Sequence, residues 1–115
     1  MRRGEIRLVD LEPVRGAEAN KRRPAVIVSN DGANSTAQRL GRGMVTVVPV
    51  TSNTDRIYPF QVLLRAKDTG LKANSKAQAE QIRSVAVERI GTRVGLLRAS
   101  QLDALDEAIR LHLAL

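Results

Sequence analysis

Short apolar runs recur along the chain between clusters of turn-forming residues. Residues 5–8 and 60–64 alternate between polar and apolar side chains, whereas residues 25–29 and 44–50 are almost wholly apolar. Runs of this length, bounded by Gly, Pro, Asn and Ser, are typical of the strands of a small barrel or sandwich. The pattern therefore predicts a mainly β protein.

Length and composition narrow the class of protein. A chain of 115 residues, 43% of them hydrophobic, suits a single domain over residues 1–115 with one modest core. It has no cysteine, so neither disulfide bonds nor thiolate metal sites are available. No apolar stretch approaches the ~20 residues of a membrane-spanning helix, and no apolar segment follows the basic N-terminus as in a secretory signal. We expect a cytoplasmic protein that binds no membrane.

Two later segments add detail to this fold. Residues 76–84 alternate until the phase slips around Glu80 and Gln81, which predicts a bulge or corner. Bulges often lie next to functional sites, and a plain surface kink is the alternative. Residues 31–43 are rich in Gly, Asn, Ser and Thr, so we expect a loop there with at most one irregular helical turn. A sixth strand is expected over residues 93–97.

The C-terminal segment is predicted to be an amphipathic helix that packs on the sheet. Ser100 is a suitable N-cap, and Asp103 in the first turn complements the helix dipole. The apolar stripe consists of Leu102, Leu105, Ile109 and Leu113. His112, the only histidine, lies on this stripe and is expected to be packed in the protein or at a subunit interface rather than to be catalytic. The apolar end at residues 111–115 favours a homodimer.

The chain is strongly basic, with a formal net charge of +7 and a pI near 11.0. An anionic partner is therefore expected, and charge alone leaves nucleic acid, an acidic protein and a membrane surface open. Tyr58 and Phe60 are the only aromatic residues. If the partner is RNA, binding must then depend on phosphate contacts and hydrogen bonds more than on base stacking.

Three cations, Lys21, Arg22 and Arg23, precede Pro24 and the apolar run of residues 25–29. Proline is tolerated at the first residue of a strand and holds the residue before it extended. Arg23 is therefore expected to stand rigidly at a strand mouth, where its guanidinium can bind an anion. A solvated basic turn is the alternative.

Five blocks of residues, in the same order over essentially the whole chain, resemble the MazF/PemK/Kid family of toxin endoribonucleases. The blocks are Gly4-Glu5-Ile6 with Val9-Asp10-Leu11 and Pro13, then Gly16, Glu18 and Arg23-Pro24-Ala25-Val26, then Val48-Pro49-Val50-Thr51-Ser52, Tyr58-Pro59-Phe60, and Glu80-Gln81-Ile82-Arg83-Ser84. The resemblance implies an SH3-like small β-barrel homodimer that cleaves single-stranded RNA at short sequences, with mRNA, tRNA and rRNA as candidate substrates. It also implies cleavage without a metal or other cofactor, inhibition of translation and growth, neutralisation by a cognate acidic MazE-like antitoxin, and DNA binding as the toxin–antitoxin complex.

The resemblance also implies roles for individual residues. Arg23 matches the catalytic arginine of the family, Thr51 matches a threonine that hydrogen-bonds the scissile phosphate, and Glu18 and Glu80 are the two candidate general bases. The RNA-binding positions implied in the same way are Lys21, Arg22, Ser52, Asn53, Gln81 and Arg83. Without the resemblance, Thr51 could serve only to shape a turn, and the carboxylates only to neutralise nearby cations.

Two other functions stay open on the sequence. A toxin with the same barrel architecture can bind a protein target such as gyrase, as CcdB relatives do, and that function would need an exposed C-terminal helix. A non-catalytic RNA-binding barrel would need only the basic surface, on which Arg23 would be one cation among many.

Overall fold

The computed structural model describes residues 1–11 and 22–115. Its strands are β1 (Glu5–Asp10), β2 (Arg22–Ile27), β3 (Met44–Thr51), β4 (Gln61–Leu64), β5 (Ser75–Gln78), β6 (Arg83–Ala86) and β7 (Ile90–Leu96). Its helices are α1 (Asp31–Leu40), α2 (Ala66–Thr69) and α3 (Ala99–Leu113), and short 3₁₀ turns span Ala79–Gln81 and Val87–Arg89. None of the helices in these two ranges is long and apolar enough to cross a membrane.

The strands form one antiparallel sheet in the order β4, β5, β3, β2, β1, β7, and β6 pairs with the first half of β3. In the described part of the chain, β4 and β7 do not pair, so the sheet does not close on itself. Helix α3 packs against β4 and the turn Ala79–Gln81. This architecture confirms the predicted mainly β class with a C-terminal helix.

Residues 25–27 of β2 and 45–50 of β3 are buried or half-buried between two faces, which explains why these parts of the strands are almost wholly apolar. Alternate side chains of these strands enter two separate cores, because successive residues of a strand point to opposite faces. The first core lies under α3 and includes Val26, Val48, Val50, Leu105 and Ala108. The second lies under α1 and includes Ala25, Ile27, Ala37, Val45 and Val47.

The prediction of a loop over residues 31–43 was wrong, because the segment contains the ten-residue helix α1. Asn30 caps the helix by accepting a hydrogen bond from a backbone N–H of the first turn at 2.8 Å, and Gly41 ends it in the left-handed conformation with φ of 67°. Only Asn34 and Ala37 are buried along its length. With a single buried apolar residue, the sequence carries almost no apolar period by which a helix could be recognised.

Helix α3 begins two residues earlier than predicted. Its N-cap is Arg98 rather than Ser100, and Gln101 Oε1 accepts a hydrogen bond from the Arg98 backbone N–H at 2.8 Å. A side chain in the first turn that reaches back to the cap in this way satisfies a backbone donor. The helix can therefore start without Ser or Thr at the cap.

The apolar stripe of α3 ends before the helix does. Leu105 is fully buried and Ile109 is half-buried against the first core, as predicted. Leu113 is 46% exposed and His112 is exposed in the single chain, so neither packs against the sheet. A place for His112 at a subunit interface stays a prediction. The His112 ring lies 6.4 Å from the Phe60 ring, centroid to centroid, beyond the end of the core that the helix covers.

The phase slip around Glu80 and Gln81 is a corner, as predicted. β5 pairs with β3 at Val50 and Thr51, β6 pairs with β3 over residues 44–47, and the 3₁₀ turn joins the two short strands. Both strands thereby follow one edge of β3. The strand expected at residues 93–97 is present as β7 and begins earlier, at Ile90.

Candidate functional site

Arg23 and Thr51 stand on neighbouring strands, where β2 begins and β3 ends. The register pairs Ala25 with Pro49, and the same register continued by two residues brings Arg23 opposite Thr51. Opposite side chains of an antiparallel pair lie on the same face of the sheet. Arg23 is exposed and Thr51 is half-buried. The sheet thus brings two predicted site residues together.

Both residues line one open groove of about 230 Å³. Its polar lining consists of Arg23, Thr51, Ser52, Lys72 and Ser75, and its apolar walls include Pro24, Val50 and Leu71. The Arg23 guanidinium, the Lys72 ammonium and the hydroxyls of Thr51 and Ser52 can donate hydrogen bonds to anionic oxygens, whereas the Ser75 hydroxyl already donates to the Ala73 carbonyl at 2.9 Å. The groove is therefore suited to binding a phosphate group.

The Thr51 hydroxyl also shapes the turn after β3. Its oxygen accepts a hydrogen bond from the Asn53 N–H at 3.2 Å, and the Asn53 side-chain oxygen accepts one from the Asp55 N–H at 3.2 Å. Thr51 therefore shapes the turn, as its alternative interpretation predicts, and the Asn53 side chain does so as well. The hydroxyl hydrogen of Thr51 takes no part in this bond and can be donated to a ligand in the groove.

Lys72 is a groove residue that sequence reasoning missed. It lies in the connection between α2 and β5, and within the described ranges its ammonium has no hydrogen-bond or ion-pair partner. No motif marks this lysine among the many cations of the chain. Only the folded path of the connection, which passes beside Pro24 and Thr51, places Lys72 in the groove.

Arg22 and Arg83, two predicted RNA-binding cations, lie outside the groove. Arg22 is opposite Asp10 in β1, and its guanidinium covers Gly91 of β7 so closely that a Cβ atom there would have no room. Arg83 Nη1 donates a hydrogen bond to the Leu11 carbonyl at 3.0 Å. Both cations are exposed and extend the basic surface beyond the groove.

Glu80 lies in the corner between β5 and β6 and is not among the residues that line the groove. Its Oε2 accepts a hydrogen bond from Gln61 Nε2, and its Oε1 is buried without a hydrogen-bond partner among the described residues. Gln61 Oε1 in turn accepts a hydrogen bond from the Tyr58 N–H at 3.1 Å. Glu80 is therefore tied to a neighbouring loop, and Gln81 beside it is exposed.

That loop, residues 52–60, leaves the groove at its first residue and is anchored further along. Lys76 is buried, donates a hydrogen bond from Nζ to the Arg56 carbonyl at 2.7 Å, and lies 5.9 Å from the Tyr58 ring centroid. The rings of Tyr58 and Phe60 stack with centroids 5.3 Å apart. The two aromatic residues of the chain thus stabilise the loop that borders the groove.

Glu18 and Lys21, the remaining predicted site residues, lie outside the described residues. Within residues 1–11 and 22–115, no group of three or more His, Asp or Glu side chains could hold a metal ion. Arg23 and Thr51 are the predicted catalytic residues that the described structure brings into one groove.

The chain is similar to known proteins in both sequence and structure. Residues 2–113 match the family described as the PemK-like, MazF-like toxin of type II toxin-antitoxin system. The whole chain is 64% identical to Endoribonuclease MazF9 of Mycobacterium tuberculosis, of which it covers 98%, and 31% identical to Endoribonuclease MazF of Staphylococcus epidermidis, of which it covers 92%. The structure of the Mycobacterium tuberculosis toxin MazF-mt6 matches with a TM-score of 0.77 and 28% identity, over 96% of this chain and 97% of that one. These matches confirm the expected fold.

Proposed function

Because the chain belongs to the PemK-like, MazF-like toxin family of type II toxin–antitoxin systems, we propose that it is an endoribonuclease that cleaves single-stranded RNA in the groove of Arg23 and Thr51. The observation that carries this proposal is the placement of an exposed guanidinium and a threonine hydroxyl on adjacent strands of one groove. The net charge of +7 attracts a polyanionic substrate to that surface.

RNA can be cleaved without a metal because its own 2′-hydroxyl can act as the nucleophile. The 2′-oxygen forms a bond to phosphorus while the bond from phosphorus to the 5′-oxygen breaks, which leaves a 2′,3′-cyclic phosphate and a 5′-hydroxyl. One group must take the proton from the 2′-hydroxyl, and another must give a proton to the departing 5′-oxygen. Acid–base assistance of this kind typically contributes ~10²–10⁴ in rate.

Arg23 and Thr51 bind the phosphoryl oxygens in this proposal. Charge accumulates on those oxygens as the 2′-oxygen attacks, and a fixed donor aimed at developing charge is typically worth ~10²–10³ in rate. The Arg23 guanidinium can donate two parallel hydrogen bonds to such a group, and the Thr51 hydroxyl can donate one. Ser52 lies beside Thr51 and contributes a further hydroxyl to RNA binding.

Of the two candidate general bases, we favour Glu18 over Glu80. Glu80 does not line the groove, and one of its two carboxylate oxygens accepts a hydrogen bond from Gln61. Glu18 comes five residues before Arg23 and matches a carboxylate of the family in the loop that leads to the catalytic arginine. Glu80 stays the alternative.

The remaining predicted cations extend the RNA path in this proposal. Arg22 and Arg83 are exposed outside the groove, and Lys21 directly precedes Arg22 in sequence. Each such cation neutralises backbone charge without reading sequence. Gln81 and Asn53 are uncharged and would contact RNA through hydrogen bonds instead.

The proposed setting is a cytoplasmic homodimer that inhibits translation and is silenced by an acidic antitoxin. Leu111, Leu113 and Leu115 are 58%, 46% and 83% exposed at the end of α3, and two-fold pairing of the chain would cover such an apolar surface. An extended acidic peptide can occupy a basic groove by presenting carboxylates in place of phosphates.

The test is cleavage of an unstructured RNA by the purified protein in the presence of EDTA. We expect cleavage products with a 2′,3′-cyclic phosphate or 3′-phosphate and a 5′-hydroxyl. Cleavage that EDTA abolishes and magnesium restores would contradict the metal-independent reaction. Tight RNA binding with no cleavage would instead make the protein a non-catalytic RNA-binding module.

A further inference from the structure

An apolar recess opens beside the Arg23 groove, and we propose that it binds the nucleobase next to the scissile phosphate while Lys72 binds the neighbouring phosphate. This inference rests on the proposed function, because it describes how the same groove selects its RNA. It concerns residues for which neither motif nor charge pattern predicts a role.

The recess is continuous with the groove. Its volume is about 430 Å³, and it is lined by Leu8, Pro24, Gly70, Leu71, Lys72 and Val94. Pro24, Leu71 and Lys72 also line the groove. A strand of RNA with its phosphate at Arg23 therefore has an adjoining apolar space that is large enough for a base.

The wall that carries Lys72 is held rigidly. Gly70 has φ of 87°, and a Cβ atom added there would lie 2.7 Å from the Val94 carbonyl oxygen, so only glycine permits this approach to β7. Leu71 is buried in the first core immediately afterwards. Lys72 thus extends from a fixed backbone at the junction of the two spaces.

A nucleotide fits the two spaces better than an uncharged ligand does. The recess presents mainly apolar side chains, which suit the faces of a base, whereas the junction presents an ammonium without a partner among the described residues. One nucleotide supplies both a base and an adjoining phosphate. Continuity with Arg23 and Thr51 favours RNA over an acidic peptide, which is treated as an outcome of the test.

The phosphate contact is tested by Lys72→Gln. We expect KM for an unstructured RNA to rise about five- to tenfold with kcat within about twofold, because the lost contact is made equally in the ground state and the transition state. The slope of log affinity against log salt should fall by about 0.7, the value for one phosphate contact on a single strand. Lys67→Gln is the matched control, since Lys67 is an exposed lysine of α2 that lines neither space; it should leave the slope unchanged.

The base contact is tested by Leu8→Trp, which fills the recess from β1. We expect the nucleotide preference at one position beside the cleaved bond to change, as read by sequencing the products of a randomised RNA pool, with the salt slope unaltered. Met44→Trp adds the same ring to a residue that is 59% exposed at the far end of β3, and it should leave the preference unchanged. Thermal unfolding of both variants reports whether they fold.

The outcomes separate this inference from the proposed function. If the wild-type protein cleaves no RNA, the proposed function fails and the recess has no RNA to select. If the wild-type protein cleaves RNA, an unchanged nucleotide preference in folded Leu8→Trp overturns the proposal for the recess alone. Weaker binding of an acidic antitoxin peptide by the same variant, with an unchanged nucleotide preference, also overturns it. Should Leu8→Trp not fold, Lys72→Gln decides, and an unchanged salt slope overturns the proposal.

Discussion

The groove at Arg23 and the corner at Glu80 both contain polar side chains, but these side chains make different contacts. In the groove, Arg23 is exposed and the Thr51 hydroxyl keeps its hydrogen for a ligand. In the corner, the Glu80 carboxylate accepts a hydrogen bond from Gln61, which also holds the neighbouring loop. The bond that Glu80 Oε2 accepts inside the protein stabilises structure, whereas polar groups exposed in a concave site are available to a substrate. The comparison distinguishes the residues proposed to contact RNA from the residues that hold the neighbouring loop.

The largest effect is expected for Arg23→Ala, which removes the guanidinium from the groove and leaves the Lys72 ammonium in place. Cleavage should fall about 10²–10³-fold, because one donor to developing charge is worth that much. RNA affinity should change only a few-fold, since many other cations hold the backbone. Single-turnover cleavage and filter binding measure the two effects, with Arg39→Ala on the exposed side of α1 as control. An equal loss of binding and cleavage would contradict a catalytic role.

A smaller loss is expected for Thr51→Val, which keeps the shape of the side chain and removes the hydroxyl. A hydrogen bond to a charged group contributes about 1.5–3 kcal/mol, so cleavage should fall roughly 10- to 100-fold. Thr51→Ser keeps both the donor and the turn to Asn53 and should restore most of the activity. If the serine variant is as impaired as the valine variant, the hydroxyl is not what the groove uses.

Glu80→Gln tests the other side of the comparison. If the corner only supports the loop, kcat/KM should stay within about threefold and the pH–rate profile should keep both limbs. Gln61→Ala should loosen the loop more, because it removes the bonds to both Glu80 and Tyr58, and should lower the melting temperature by several degrees. A hundredfold loss in Glu80→Gln together with one missing limb would make Glu80 the general base.

The smallest effect concerns Glu5, a buried carboxylate paired with the cation Arg7, whereas Glu80 has no cationic partner among the described residues. Burial acts to raise the pKa of Glu5, but the hydrogen bond and charge of Arg7, with smaller contributions from the N-terminus and the Arg2 N–H, outweigh it and lower the pKa below 4.5. The resulting stabilisation is present above about pH 4.5 and is lost as the pH falls through the folded-state pKa. Thermal unfolding across the acid range should show this loss, and Glu5→Gln should flatten it.

The sequence predicts the parts of this fold that have a period or a marked turn. The apolar runs of β2 and β3 and the phase slip at Glu80 all correspond to observed features. Helix α1 was missed because only Ala37 among its buried residues is apolar, and its start depends on a cap at Asn30 rather than on an apolar pattern. The start at Arg98 was missed for a related reason, since the bond described at this end of the helix is the one that Gln101 accepts from the Arg98 N–H, and no Ser or Thr marks the cap.

Of the candidate site, only the part that lies on two paired strands could be predicted from the sequence. Arg23 was identified from a strand mouth and Thr51 from the resemblance to the family, and their meeting depends on the β2–β3 register. Lys72 reaches the groove through the approach of Gly70 to Val94, which involves backbone atoms distant in sequence. Local patterns contain no information about such an approach, so the second cation of the groove was not foreseen.

The buried residues of β2 and β3 are expected to be among the last parts of the molecule to unfold. Amide hydrogens of Val26, Val47 and Val48, whose side chains are fully buried, should exchange with solvent only on global unfolding, whereas the exposed end of α3 should exchange through local fraying. Arg23 and Thr51 are carried at the adjoining ends of these two strands. The pair that we assign to the phosphate is therefore joined directly to the segments expected to open last, and its geometry should survive partial opening of the surrounding structure.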